Sequence, residues 1–288
     1  MTIDLDRYAR DIPVMPSVAA KILSMASGDM DMSFRQLEDI IKVDQGLTAR
    51  ILKIANSAQY ARQREITQLQ SAITLLGFKT LKNLVLLVAA SGMFSRIQKS
   101  RFYQDHWYHS LLTAFLARSI ALRCRAREVA EETFLAGLFH DVGKVVLYSA
   151  DVAGYTAILE REREEGVLLR EAEAAALGVE HQRIGGALLD RWSFPRVFVD
   201  AALEHDSINI TSVHKKVIIM VTVANCIAAR FAHESVPRER ERLLTALYPH
   251  TCLAPGDVAD YTENLFLRLS EDRLFSECLG LFGVKPTT

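Results

Sequence analysis

Apolar residues recur at helical spacing along most of this 288-residue chain, and no stretch shows the strict apolar–polar alternation of a half-buried strand. Leu47, Ile51, Leu52 and Ala55 fall on one helix face, and Leu69, Ala72, Ile73 and Leu76 repeat the pattern before Gly77. Such stripes must be buried against other helices, so the pattern predicts an all-α, two-lobed helical bundle. Pro16-Ser17 open a first helix that ends at Gly28. Ser33 caps a helix over 34–42, because its side-chain oxygen can accept an orphan helix amide. Asp44 caps 46–58, a polar connection follows, Thr67 opens the next helix, and 79–91 completes the group. Its run of seven apolar residues, 84–90, is too short to cross a bilayer and reads as a buried helix.

A second group of helices is expected over 102–123, 128–150 (one or two helices), 180–192, 197–204 and 212–232, followed by 238–247, 257–269 and a short last helix. The lobes are expected over residues 1–98 and 99–235, with residues 236–288 as a helical extension packed on the second lobe. Half the residues are hydrophobic, which excludes a mostly disordered chain. With 34 basic and 35 acidic residues the net charge is -1, which argues against nonspecific nucleic-acid binding as the main activity. Lys42, Arg50, Lys53, Arg62, Arg64, Lys79 and Lys82 offer only a weak basic patch, of a kind amphipathic helices routinely display. The N-terminus has no basic region leading into an apolar stretch, so no signal peptide is read there. Cys124, Cys226, Cys252 and Cys278 are widely separated and form no CxxC, which points to core thiols in a cytoplasmic protein.

The polar residues inside apolar helices carry the functional information. His140, Asp141 and Lys144 sit in Phe134-Leu135-Ala136-Gly137-Leu138-Phe139-His140-Asp141-Val142-Gly143-Lys144-Val145-Val146-Leu147. Burial there is costly unless they are paired, hydrogen-bonded or bound to metal. His106 and His109, His181 and His205 occupy comparable settings. Imidazoles and carboxylates suit first-row ions such as iron, manganese or zinc. Each histidine taken alone reads first as a hydrogen-bonded core or boundary residue, and the spacings only permit a site assembled between helices. His106, Trp107 and Tyr108 read as packing around His109; His214, His233 and His250 read as surface or capping residues.

The order His109, His140-Asp141, His181, His205 resembles the HD superfamily of metal-dependent phosphohydrolases. Its HDOD (HD-related output domain) branch is closer still, through Ile12-Pro13-Val14-Met15-Pro16, the segment from Asp44-Gln45-Gly46-Leu47 to Asn56-Ser57-Ala58, Ala72-Ile73-Thr74-Leu75-Leu76-Gly77, Trp107-Tyr108-His109-Ser110, Gly137-Leu138-Phe139-His140-Asp141-Val142-Gly143-Lys144 and Glu180-His181-Gln182-Arg183-Ile184-Gly185. The similarity spans about residues 8–235. It implies that the second lobe has the HD-domain fold and that His109, His140, Asp141, His181 and His205 bind one or two divalent transition ions, iron or manganese ahead of zinc or nickel. It implies further that Lys144 contacts a substrate phosphate, Asp141 and Lys144 being the catalytic pair. The position resembling a late aspartate ligand is Asn225, a neutral amide, and Asp206-Ser207 follows His205 where cyclic-dinucleotide hydrolases have His-Glu. The resemblance therefore implies a bacterial signalling or regulatory domain with a retained metal site, whose partner is a regulatory protein or a nucleotide or other phosphate ligand. The alternative it carries is a phosphohydrolase acting on a nucleotide or cyclic nucleotide.

Overall fold

The computed structural model describes residues 15–26, 33–57, 66–232 and 238–284, and among them there are sixteen α-helices and no strand. The first lobe comprises α1 (Ser17–Ala26), α2 (Phe34–Lys42), α3 (Gln45–Ser57), α4 (Leu69–Leu76) and α5 (Phe78–Met93). Ser33 caps α2 as expected: its Oγ accepts from the Gln36 amide at 3.3 Å, while Gln36 Oε1 accepts from the Ser33 amide at 2.7 Å. Asp44 Oδ1 accepts from the Leu47 amide at 2.9 Å and so opens α3. Thr67 does not cap α4; Gln68 is the N-cap and makes no side-chain bond there. α5 packs against α1, α3 and α4, which explains why its apolar run is buried. The expected helix stop at Gly28, residues 12–14 of the first motif, Ala58 and most of the polar connection lie outside the described residues.

The second lobe is built on α6 (Arg101–Arg123), a 23-residue helix whose Trp107, Leu111, Leu112, Leu116 and Ile120 are fully buried. α7 (Ala130–Phe139) and α13 (Lys215–Ala232) pack along it. The 128–150 region is two helices, because α7 stops at Phe139 and α8 (Val142–Ala150) begins only after His140 and Asp141. Next come α9 (Val152–Glu165), α10 (Leu169–Leu177), α11 (His181–Arg191) and α12 (Arg196–Glu204); α10 has no counterpart in the sequence reading. Two glycines set the spacing that the site depends on. A Cβ on Gly137 would lie 2.9 Å from the Ala114 Cα, so α7 meets the α6 backbone directly. A Cβ on Gly143 would lie 2.0 Å from the His181 carbonyl oxygen and 2.7 Å from the Gly185 nitrogen, so α8 meets α11 in the same way.

Three helices complete the chain: α14 (Arg238–Leu247), α15 (Pro255–Ser270) and α16 (Arg273–Phe282). α14 and α15 pack on α13, whereas α16 reaches α3 and α5 as well as α6. The Trp107 ring stacks on Phe282 at 4.2 Å, and Lys53 pairs with Glu277 at 2.8 Å. No single helix among the described residues is long and apolar enough to cross a membrane.

The cysteine expectation needs correction. Cys226 and Cys278 are buried thiols, but Cys124 and Cys252 form a disulfide across 128 positions. Their separation hides the pairing. The end of α6 and the start of α15 meet through Arg123–Asp257 at 2.8 Å and Ser119–Tyr261 at 3.1 Å, which brings the two sulfurs together.

The close helix contacts and the disulfide are each open to test. Gly143→Ala should cost about 2–3 kcal/mol of stability through overpacking, read by urea unfolding. Gly280→Ala, where a Cβ meets nothing within 4 Å, should be neutral or stabilising by up to about 1 kcal/mol. Non-reducing peptide maps of the purified protein should recover Cys124 joined to Cys252, and opening that bond should lower stability by about 2–4 kcal/mol.

Candidate metal centre

The break between α7 and α8 turns His140 and the next residue inward together, as a continuous helix would not. Asp141, 1 % exposed, is the hub. His140 Nε2 lies 3.2 Å from its Oδ2 and His109 Nε2, from α6, lies 3.8 Å from the same oxygen. On the other side, Nε2 of His181, the first residue of α11, lies 3.3 Å from Oδ1, and Nε2 of His205, the C-cap of α12, lies at 3.2 Å. Lys144, one turn along α8, donates its ammonium to Oδ2 at 2.5 Å. The five residues expected to form a site therefore converge.

The imidazoles are pinned by their far nitrogens. His140 Nδ1 donates to the Gly137 carbonyl at 2.7 Å, His205 Nδ1 to the Ala202 carbonyl at 3.0 Å, and His181 Nδ1 to Glu173 Oε2 at 2.7 Å. In the neutral ring, such a bond leaves the lone pair on Nε2, aimed at a carboxylate. Nε2 of all three rings and Asp141 Oδ1 are buried without a hydrogen-bond partner. Lone pairs facing an anion repel unless a cation lies between them. Two clusters, His109/His140/Asp141 and Asp141/His181/His205, each bring their donor atoms within 4.8 Å of one another, close enough to hold a metal ion. The residues present thus fit a transition ion.

Protonation follows the same geometry. Burial pushes His109 well below the usual imidazole range, and His140 below it too, so both are neutral donors. Burial would also lower His181, but the Glu173 carboxylate outweighs it and raises the ring to about 9. Burial would raise Asp141, yet the neighbouring His140 ring and the Lys144 ammonium hold it well below the usual carboxylate range.

Three other residues at the site were not legible from sequence as contributors. Glu173 projects from α10 and, besides the His181 ring, accepts from the His181 amide at 2.9 Å and from the Tyr155 hydroxyl at 2.5 Å. Asp206 was read as a departure from the hydrolase pattern. Its Oδ2 lies 3.5 Å from His205 Nε2 and 3.9 Å from His181 Nε2, so the position still supplies a carboxylate. Arg240 enters from α14. Asn225 lies at the cluster: its Oδ1 accepts from Arg240 at 3.1 Å and lies 3.0 Å from His109 Nε2, while its Nδ2 donates to Asp206 Oδ1 at 3.2 Å. A charged first half of α14 gives no sequence signal for one arginine reaching inward. Glu173, one acid among alanines, gives none either.

His106, Trp107 and Tyr108 are buried in packing beside the site, as expected. His250 is exposed and His214 is bonded to Asp200 at 3.1 Å at the start of α13; His233 lies outside the described residues. Of the basic patch, Lys42 pairs with Glu38 and Lys53 with Glu277, while Arg62 and Arg64 lie outside the described residues. Because a carboxylate that orients a ligating histidine commonly contributes about 10–100-fold to metal affinity, Glu173→Gln should weaken metal retention by that order against a competing chelator. Far-UV circular dichroism should be unchanged.

A family model for the HDOD domain matches residues 12–208. In fold, the chain is similar to an HDOD domain protein of unknown function from Geobacter sulfurreducens, with TM-score 0.74 and 23 % identity over 97 % of this chain and 98 % of that one. It is also similar to a protein from Shewanella amazonensis SB2B provisionally named a phosphohydrolase (TM-score 0.75, 22 % identity, 96 % and 97 % covered). An uncharacterized protein of Treponema pallidum (strain Nichols) is 25 % identical over 231 residues, which are 80 % of this chain. The chain spans only 44 % of that relative's length.

Proposed function

The chain belongs to the HDOD domain family, and from that premise we propose that it is a bacterial signalling module holding one or two first-row transition ions, iron or manganese ahead of zinc or nickel. It acts by binding a regulatory protein or a nucleotide or other phosphate ligand. The observation that carries the metal reading is the buried Asp141 carboxylate facing three partnerless Nε2 atoms. The proposed ligands are drawn from His109, His140, Asp141, His181, His205 and Asn225, with His109 Nε2 and the Asn225 oxygen bonded to each other in this structure. The proposed organisation assigns residues 1–98 to the surface that distinguishes this family, 99–235 to the metal-holding lobe, and 236–288 to a helical cover. A cytoplasmic location belongs to the same proposal; thiol trapping in intact cells would then find Cys124 and Cys252 reduced, the bond between them forming once the purified protein meets air.

A phosphohydrolase is the second reading, and Lys144 favours it: the residue keeps 9 % exposure and its ammonium sits directly on Asp141, where it can hold a phosphate. A bound ion would polarise a phosphoryl oxygen and make a bound water more acidic. Around it, Lys144 would neutralise phosphate charge, Asp141 would orient the ion, and Glu173 would hold the His181 ring in place. Against catalysis stands Asn225, which offers no anionic ligand and whose oxygen is already engaged.

Metal analysis of protein purified without an affinity tag should find stoichiometric iron or manganese. Saturating metal at about 100 times its dissociation constant adds about 2.7 kcal/mol, so chelation should lower Tm by roughly 5–10 °C. Absence of metal, with no uptake on reconstitution, would contradict the reading. The regulatory reading expects no turnover across a nucleotide panel; turnover abolished by Asp141→Ala in a folded protein would favour the hydrolase.

A further inference from the structure

The two oxygens of Asp141 face different surroundings. Oδ2 already accepts the Lys144 ammonium. Beside it, the orientation of the Asn225 amide is forced, because a carboxylate only accepts and a guanidinium only donates. Nδ2 must serve Asp206 and Oδ1 must serve Arg240. His109 Nε2, 3.0 Å from that same Oδ1, is then the donor, and no lone pair on it is left for an ion. This side of the site holds the Lys144 ammonium and, joined to it through the Asn225 amide and His109, the Arg240 guanidinium, while the His109 N–H is spent on the amide oxygen.

The Oδ1 half is the reverse. Asp141 Oδ1, His181 Nε2 and His205 Nε2 all lack hydrogen-bond partners. The Asp206 carboxylate lies within 4 Å of both rings and adds a second negative charge. His140 Nε2 is also partnerless; it lies 3.2 Å from Oδ2 while its ring stands 4.8 Å from that of His205, so it borders both halves. A dication is attracted to this half and repelled from the other.

Resting on the metal reading above, we infer that the site holds a single ion on the Oδ1 side, between His181 and His205, and that Arg240 with Lys144 stands in for a second ion on the Oδ2 side. Arg240 comes from α14, beyond the residues that match the family model. The C-terminal helices thereby set how many ions the site takes. Asn225 is the adaptor: an aspartate there would pair with the arginine or recruit an ion, whereas the amide hands the arginine's hydrogen bond on to His109.

The test is manganese stoichiometry of the full chain after reconstitution with Mn(II) alone, read by elemental analysis and electron paramagnetic resonance. Wild type should hold one ion with an uncoupled signal. His181→Gln and His205→Gln should lose it, at least tenfold in affinity, and His109→Ala should keep it within about threefold. Asn225→Asp combined with Arg240→Met should approach two ions and show an exchange-coupled pair. Two ions in wild type, loss through His109→Ala with retention in His205→Gln, or a double variant that stays at one would overturn the inference and leave the metal reading intact. No manganese in any form would overturn both. Anomalous scattering from manganese in wild-type crystals decides independently of how the variants fold: a peak beside Oδ1 is expected, and a peak beside Oδ2 contradicts it.

Discussion

One buried carboxylate governs the second lobe. Asp141 is surrounded by imidazoles whose far nitrogens are tied to Gly137, Ala202 and Glu173, so that their free nitrogens point at it. That arrangement is repulsive without a cation, and each surrounding feature either holds it in place or supplies positive charge. Gly137 lets α7 press onto α6 and Gly143 lets α8 press onto α11, which brings rings from four parts of the chain to one point. The interruption between α7 and α8 turns His140 and Asp141 toward the same centre.

The site is asymmetric because its surroundings come from different places. The histidines and Asp141 lie within the segment that matches the family model, while Arg240 does not. Lys144 bonds Oδ2 and Arg240 bonds the Asn225 amide, whereas Asp206 and the partnerless Nε2 atoms of His181 and His205 gather about Oδ1. A domain built this way can keep a metal as a structural element while the groups a hydrolase would need are engaged internally, which fits a regulatory role better than turnover.

Much of this was readable from the sequence where the physics is local. Ser33 with Gln36, and Asp44 before α3, are capping patterns written within four residues. The embedded His140-Asp141 pair flagged a centre because buried charge needs a partner. What could not be read depends on distance in the chain. Asp206 departs from the family pattern in type yet reaches the cluster from the turn after α12. Glu173 lies on a helix whose short, alanine-rich run carried no decisive periodicity, and Arg240 and the Cys124–Cys252 bond are visible only once α13 to α15 are packed on α6. The expected thiols at Cys124 and Cys252 failed for the same reason.

X-ray absorption at the manganese edge of the reconstituted protein tests the centre most directly. An ion bound by the pinned rings gives a first shell of mixed nitrogen and oxygen donors with the outer-shell scattering of imidazole. An ion with an all-oxygen shell and no imidazole signature, bound adventitiously at surface carboxylates, would contradict it.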